Sequence, residues 1–187
     1  MMSSGMVLMD LDICWKVRLT SLQERHDVIR NGFDGLGYLL EDTHNTGNML
    51  PQTFIPGFHS EVDVRKMTYK SLGTTGMLVS YLSLGTFQLG LVYQTSREED
   101  GIKTVREAVR RGLNYIDTSP WYGFGTAEIV LGKALKGIPR QAYYLGTKVG
   151  RYHPEYPKMF DFSAERTIQS VEESLEKLGV DYVDVIQ

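Results

Sequence analysis

An α/β fold, with parallel strands alternating with helical crossovers, is predicted by three features of the 187-residue chain. From Met67 onward, short apolar runs alternate with amphipathic stretches at about 30 to 40 residues per unit, the length of a right-handed βαβ crossover. Each amphipathic stretch is followed by a glycine, Gly112, Gly137 or Gly179, the residue that closes a helix in the left-handed conformation. Asp117 and Lys148 fall at the C-terminal ends of neighbouring strand candidates. The rhythm alone suits a doubly wound sheet and a (β/α)8 barrel equally. Polar strand ends favour the barrel, whose chemistry is built on that rim. The run GTFQLG at 85–90 keeps Gly85 and Gly90 but has Phe87 at the middle position, where a dinucleotide-binding loop needs a glycine for close backbone approach.

The elements follow in order. TYKSLGTTGMLVS at 68–80 predicts a hairpin around Gly73-Thr74-Thr75-Gly76. SLGT at 83–86 predicts a short buried strand. Ser96 and Glu99 form an S-x-x-E capping box, opening a helix with Ile102, Val105 and Val109 on one face. LNYIDT at 113–118 is the next strand, and Thr126 is the predicted cap of a helix bearing Val130, Leu131, Ala134 and Leu135. AYYLGTK at 142–148 is a strand; Ser163 caps a helix with Ile168, Val171, Leu175 and Leu178 toward the core; DYVDVIQ at 181–187 is the last strand.

Residues 1–66 lack a sustained period, and Asn31-Gly32, Asp34-Gly35 and Asn45-Thr46-Gly47-Asn48 are turn signals. They are expected to form a poorly ordered leader with at most a short helix at 19–29, leaving 67–187 as the domain. His26, His44 and His59 have no ligand spacing and are expected to be solvated surface residues. The apolar run at the start is interrupted by Asp10 and Asp12 and has no basic residue before it, which argues against a signal peptide. Cys14 is the one cysteine, so no disulfide forms within the chain and a reducing, cytoplasmic setting is expected. The net charge of -3 gives no basic surface for nucleic acid or an anionic membrane.

Chemistry is expected from Asp117, Tyr122 and Lys148. Adjacent parallel strands lie about 4.8 Å apart, so side chains from the two strand ends and the loop between them can converge. A phenol near pKa 10 exchanges protons poorly at neutrality, and an adjacent ammonium favours the phenolate. An aspartate can hold that ammonium in place, and the phenol can then pass a proton to a carbonyl oxygen or take one from an alcohol. An ion pair at the rim beside a half-buried loop aromatic fits the same spacing. The rim lacks the paired carboxylates and histidines of metal-assisted hydrolysis.

NYIDTSPWYG at 114–123, TKVGRY at 147–152 and FDFSAERTIQSVEESLEKLGVDYVDVIQ at 160–187 resemble the aldo-keto reductases, most closely their L-galactose dehydrogenase and D-arabinose dehydrogenase-like branch. The resemblance implies a TIM barrel that moves hydride between NADP or NAD and a sugar or other small carbonyl or alcohol. The family's catalytic tetrad is Asp, Tyr, Lys and His. Its first three members fall on Asp117, Tyr122 and Lys148; its histidine would follow Gln187. His153, in a loop with Pro154 and Pro157, is no substitute. Gly85, Thr86 and Asp117 correspond to the nicotinamide side of the pocket. Trp121 corresponds to a substrate-pocket aromatic, with a loop aromatic packed on the rim as the alternative. The family's pyrophosphate and adenosine contacts lie in the other half of the barrel.

A complete barrel takes about 250 residues, so 67–187 is expected to be a C-terminally truncated partial barrel, a hairpin plus four βα strands. Open strand edges invite self-association, and the truncated chain is expected to be weak or inactive as an enzyme. A non-catalytic binding or regulatory fragment is the alternative function.

Overall fold

The computed structural model describes residues 15–16, 50–91 and 97–187. The strands are β1 (Trp15–Lys16), β2 (Tyr69–Ser71), β3 (Leu78–Ser80), β4 (Leu84–Gly85), β5 (Tyr115–Asp117), β6 (Tyr144–Thr147) and β7 (Val185–Ile186). The helices are α1 (Glu61–Lys66), α2 (Glu98–Arg110), α3 (Thr126–Leu135) and α4 (Ala164–Leu178). None is long and apolar enough to cross a membrane.

β4, β5, β6 and β7 form a parallel sheet in sequence order, and β1 pairs antiparallel with β7 at its edge. The α/β alternation with parallel strands is present as expected. Successive side chains along a strand face opposite sides, and the sheet uses both. Ile116 and Leu145 are wholly buried toward the helices, in a core with Val105, Val109, Val130, Leu131, Leu175 and Leu178. Tyr115 and Val185 face the other way, against Leu72, Met77 and Val79 of the β2–β3 hairpin. Gly73 and Gly76 turn that hairpin with positive φ, as the GTTG run predicts. The hairpin is tied to the layer behind it by the buried Tyr69 hydroxyl, which donates to the Gly112 carbonyl at 2.8 Å.

Two local expectations change. α3 is capped by Gly125 in the left-handed conformation, and Thr126 is its first residue, with no side-chain cap. The Thr126 amide instead donates to the Gly123 carbonyl, so a backbone turn does the capping. The short strand within SLGT is half-buried at Leu84 and exposed at Gly85, because it borders the sheet opposite β1. Arg97 precedes α2 without a side-chain cap, and the first turn carries Glu98, Glu99 and Asp100, which favour its positive end. Ser96 of the proposed capping box and the proposed helix at 19–29 lie outside the described residues, as do His26 and His44.

Residues 50–66 pack against the domain, so the boundary expected at Met67 falls inside a packed body. The reason is a set of long-range hydrogen bonds. Asn114 donates from Nδ2 to Thr53 Oγ1 at 2.8 Å and to the Leu78 carbonyl at 2.9 Å, while its Oδ1 accepts from the Ser80 amide at 2.6 Å. The Ser60 amide donates to the Arg110 carbonyl, and Val64 of α1 is buried. His59, expected in solvent, is 9% exposed. Its Nδ1 accepts from the Ile55 amide at 2.9 Å, and its ring meets Phe54 and Phe58.

Candidate active site

Asp117 ends β5, and Lys148 directly follows β6. The register that pairs Asp117 with Gly146 puts both at one edge of the sheet. Tyr122 comes from the loop between β5 and α3. That loop is pressed against the loop after β4: a Cβ on Gly90 would sit 2.8 Å from the Gly123 amide nitrogen. Glycine at both contacts lets the backbones meet. The approach also sets Phe87 edge-on to Tyr122, with centroids 5.4 Å apart.

The three predicted residues converge. Lys148 Nζ donates to Asp117 Oδ1 at 2.6 Å, to Oδ2 at 2.7 Å and to the Thr118 carbonyl at 3.1 Å. All three ammonium protons are therefore engaged. The Tyr122 hydroxyl donates to Asp117 Oδ2 at 3.4 Å, and Lys148 Nζ lies 5.0 Å from the Tyr122 ring centroid. Asp117 is 2% exposed. Burying a carboxylate is costly unless it is paired and hydrogen-bonded, and the ammonium supplies most of that compensation.

Gln187 joins this group. Its Nε2 donates to Asp117 Oδ1 at 3.3 Å and to the Tyr115 hydroxyl at 3.2 Å. Reasoning from motifs missed it. The period-two alternation of DYVDVIQ, which puts Gln187 on the face of Val185, was the signal available. Phe87 was likewise considered only as a missing glycine.

The Thr86 amide donates to the Asp117 carbonyl at 3.0 Å, which places Gly85 and Thr86 at the same rim. The Thr86 and Thr118 hydroxyls are buried without a hydrogen-bond partner. Gly85 is exposed and has open space where a side chain would begin. Trp121 is half-buried, packed edge-on to Phe124 at 5.0 Å, with the Arg151 guanidinium 4.3 Å above its ring. His153 is exposed in the loop after β6, its Nδ1 accepting from the Glu155 amide. His59 sits beside the Ala142 backbone, before the start of β6, at the end of the strand away from Lys148. Neither histidine joins the rim.

A sequence profile described as the Aldo/keto reductase family matches residues 81–187. Over 123 residues the chain is 47% identical to an L-galactose dehydrogenase of Arabidopsis thaliana, covering 65% of this chain and 37% of that protein. Over 127 residues it is 35% identical to an NADH-specific methylglyoxal reductase of Escherichia coli (strain K12), covering 61% of this chain and 39% of that protein. Among solved structures, an aldo-keto reductase from Bacillus halodurans in its holo form superposes with a TM-score of 0.55 at 35% identity, over 63% of this chain and 38% of the other. The chain thus spans well under half the length of these relatives. By the extent of the profile match and the identity of the residues within it, the chain belongs to the aldo/keto reductase family.

Proposed function

We propose that this chain carries the proton-transfer part of an NAD(P)-dependent oxidoreductase site acting on a sugar or another small carbonyl or alcohol, on one side of a (β/α)8 barrel. Membership of the family, the likeness to L-galactose dehydrogenase and the shared rim of Asp117, Tyr122 and Lys148 support this reading. A nicotinamide dinucleotide, NADP or NAD, supplies or accepts the hydride when bound. Gly85 leaves room at the rim for such a group, and the unpartnered Thr86 hydroxyl offers it a polar contact beside Asp117.

The observation that carries the proposal is the unequal use of hydrogen-bonding capacity. Lys148 has no proton left to offer, because Asp117 and Thr118 take all three. Asp117 is closed off from solvent. Tyr122 is half-buried, and its one recorded bond is long at 3.4 Å. The phenol is therefore the group able to turn toward a carbonyl oxygen. In reduction its O–H bond breaks, the proton goes to the substrate oxygen and a phenolate remains. The Lys148 ammonium, 5.0 Å from the ring centroid, stabilises that charge. Oxidation of an alcohol runs the same proton back. Trp121 forms a side wall for the substrate.

The test is NAD(P)H oxidation by the purified chain with aldoses and small aldehydes, and NAD(P) reduction with the matching sugars. Loss of an acid/base group removes about 100- to 10,000-fold, so Tyr122→Phe is expected to lower kcat by at least the smaller factor. Turnover that persists unchanged in Tyr122→Phe would overturn the assignment.

A further inference from the structure

Glu128, on the helix layer behind the rim, is a carboxylate with no exposure at all. Among the described residues, the other two buried carboxylates have evident partners: Asp117 has Lys148, and Asp184 accepts from Arg140 at 2.6 Å and from the Leu145 amide at 2.9 Å. Glu128 is poorly compensated. Its Oε1 accepts from the Thr147 hydroxyl at 2.8 Å, its Oε2 has no hydrogen-bond partner, and Lys177 Nζ is 4.0 Å away. Well-packed apolar residues often stabilise such positions more than buried ionisable ones, so stability alone gives Glu128 little purpose.

Its neighbours in the chain supply one. Ala127, the residue before it, donates its amide to the Tyr122 carbonyl at 3.1 Å. Thr147, the residue it holds, directly precedes Lys148. The Glu128–Thr147 bond therefore ties the helix that anchors the tyrosine loop to the strand end that delivers the lysine. On the far side, the Lys177 stem covers the turn entering α3, at 3.2 Å from where a Gly125 Cβ would be. We infer that Glu128 is a positioning residue, which through Thr147 fixes the separation of Lys148 from Tyr122. This rests on the acid/base reading of those two groups.

The bond needs an acceptor at Oε1 and not a charge. Burial holds the Glu128 acid group above the usual carboxylate range, against the pull of Ser174, Thr147 and Lys177. Glu128→Gln keeps the acceptor and the shape, whereas Glu128→Ala removes both. Thr147→Ser keeps the hydroxyl, and Thr147→Val removes it at nearly constant volume.

The experiment measures acylation of Lys148 by a small amine-directed reagent, quantified by peptide mass spectrometry relative to the exposed Lys103, alongside thermal melting of each variant. A lysine freed from a buried pair reacts through a cheaper local opening, so Glu128→Ala and Thr147→Val are expected to raise the Lys148-to-Lys103 ratio by about tenfold. Glu128→Gln and Thr147→Ser are expected to stay close to the parent. A general loss of structure would also raise the ratio, because Lys103 is already exposed and Lys148 is not, so the ratio is read only at temperatures where the melting curve shows the variant fully folded. If Glu128→Ala does not melt cooperatively, Thr147→Val decides. An unchanged ratio in folded Glu128→Ala or Thr147→Val would overturn the inference, as would Glu128→Gln behaving like Glu128→Ala. The readout needs no turnover: activity unchanged in Tyr122→Phe strikes the proposed function, whereas a flat labelling ratio strikes the positioning role alone.

Discussion

Lys148→Met isolates the electrostatics of the rim, because methionine keeps most of the apolar stem and deletes the ammonium. The Asp117 side chain is 3% exposed and that of Lys148 is 23% exposed. Without the ammonium, Asp117 loses its contacts at 2.6 and 2.7 Å and keeps only those from Tyr122 at 3.4 Å and Gln187 at 3.3 Å. The Thr118 carbonyl loses its donor as well. Removing one partner of a buried pair costs about 3–5 kcal/mol. Partial access of water to the lysine side puts the expected loss at the lower end, about 3 kcal/mol. That is a large share of the roughly 5–15 kcal/mol that stabilises a typical domain. Urea unfolding at pH 7, followed by circular dichroism, gives the value. With a slope of about 1–3 kcal/mol/M, the midpoint falls by about 1–3 M at unchanged slope. Adding Asp117→Asn to Lys148→Met is expected to recover part of the loss, since an amide tolerates burial that an orphaned carboxylate does not. A loss below about 0.5 kcal/mol, the size of an ordinary surface substitution, would refute the reasoning, as would a double variant no more stable than the single one.

Gly132→Ala would normally favour a helix by about 0.5–1 kcal/mol, but here the new Cβ would stand 2.7 Å from the Lys177 carbonyl and 2.8 Å from that of Leu178; the expected sign is reversed, a loss of about 1–3 kcal/mol in thermal melting. Acid should loosen the 50–60 segment. Burial lowers the His59 pKa below its ordinary 6.5, so the unfolded chain binds the proton first. Stability is then full above the unfolded pKa and falls as the pH drops through 6.5 toward the folded value. Protonation also puts an N–H on the Nδ1 that now accepts from Ile55. Limited proteolysis between pH 7.5 and 5 should show faster cleavage near 50–60 at the acid end, and His59→Gln should flatten that dependence.

Much of the helix layer was legible because its signals are local. Val105 and Val109, then Val130, Leu131, Ala134 and Leu135, then Ile168, Val171, Leu175 and Leu178 fall at helical spacing, and each of them is buried. Asp117 and Lys148 could be brought together on paper because both end strands joined by one crossover. The 50–66 segment was illegible for the opposite reason. Its order depends on Asn114 reaching back 61 residues to Thr53, and no window of sequence contains both. His59 was judged by its lack of ligand spacing, a test that detects metal sites and says nothing about a neutral imidazole serving as a hydrogen-bond hub. Gln187 escaped because its contact to Asp117 is an amide reaching across the sheet, without a motif to mark it.

The site and the core are specified by the same register. Along β6, side chains alternate between the helix layer and the hairpin face, so Thr147 meets Glu128 behind the sheet and Lys148 meets Asp117 in front of it. A slip of one residue would reverse every assignment: Lys148 would enter the apolar layer beside Val130 and Leu131, and Thr147 would face a buried aspartate it cannot neutralise. The Thr118 amide bond to the Gly146 carbonyl, at 2.9 Å, and the pairing of Leu145 with Ile116 oppose that slip on the backbone; the Thr147–Glu128 bond opposes it through side chains. Gly146 adds a third restraint, since a Cβ there would lie 2.7 Å from the Tyr115 hydroxyl. The proton chemistry proposed for Tyr122 is thus inseparable from the packing behind it. The lysine can face the rim only while its neighbour faces the core.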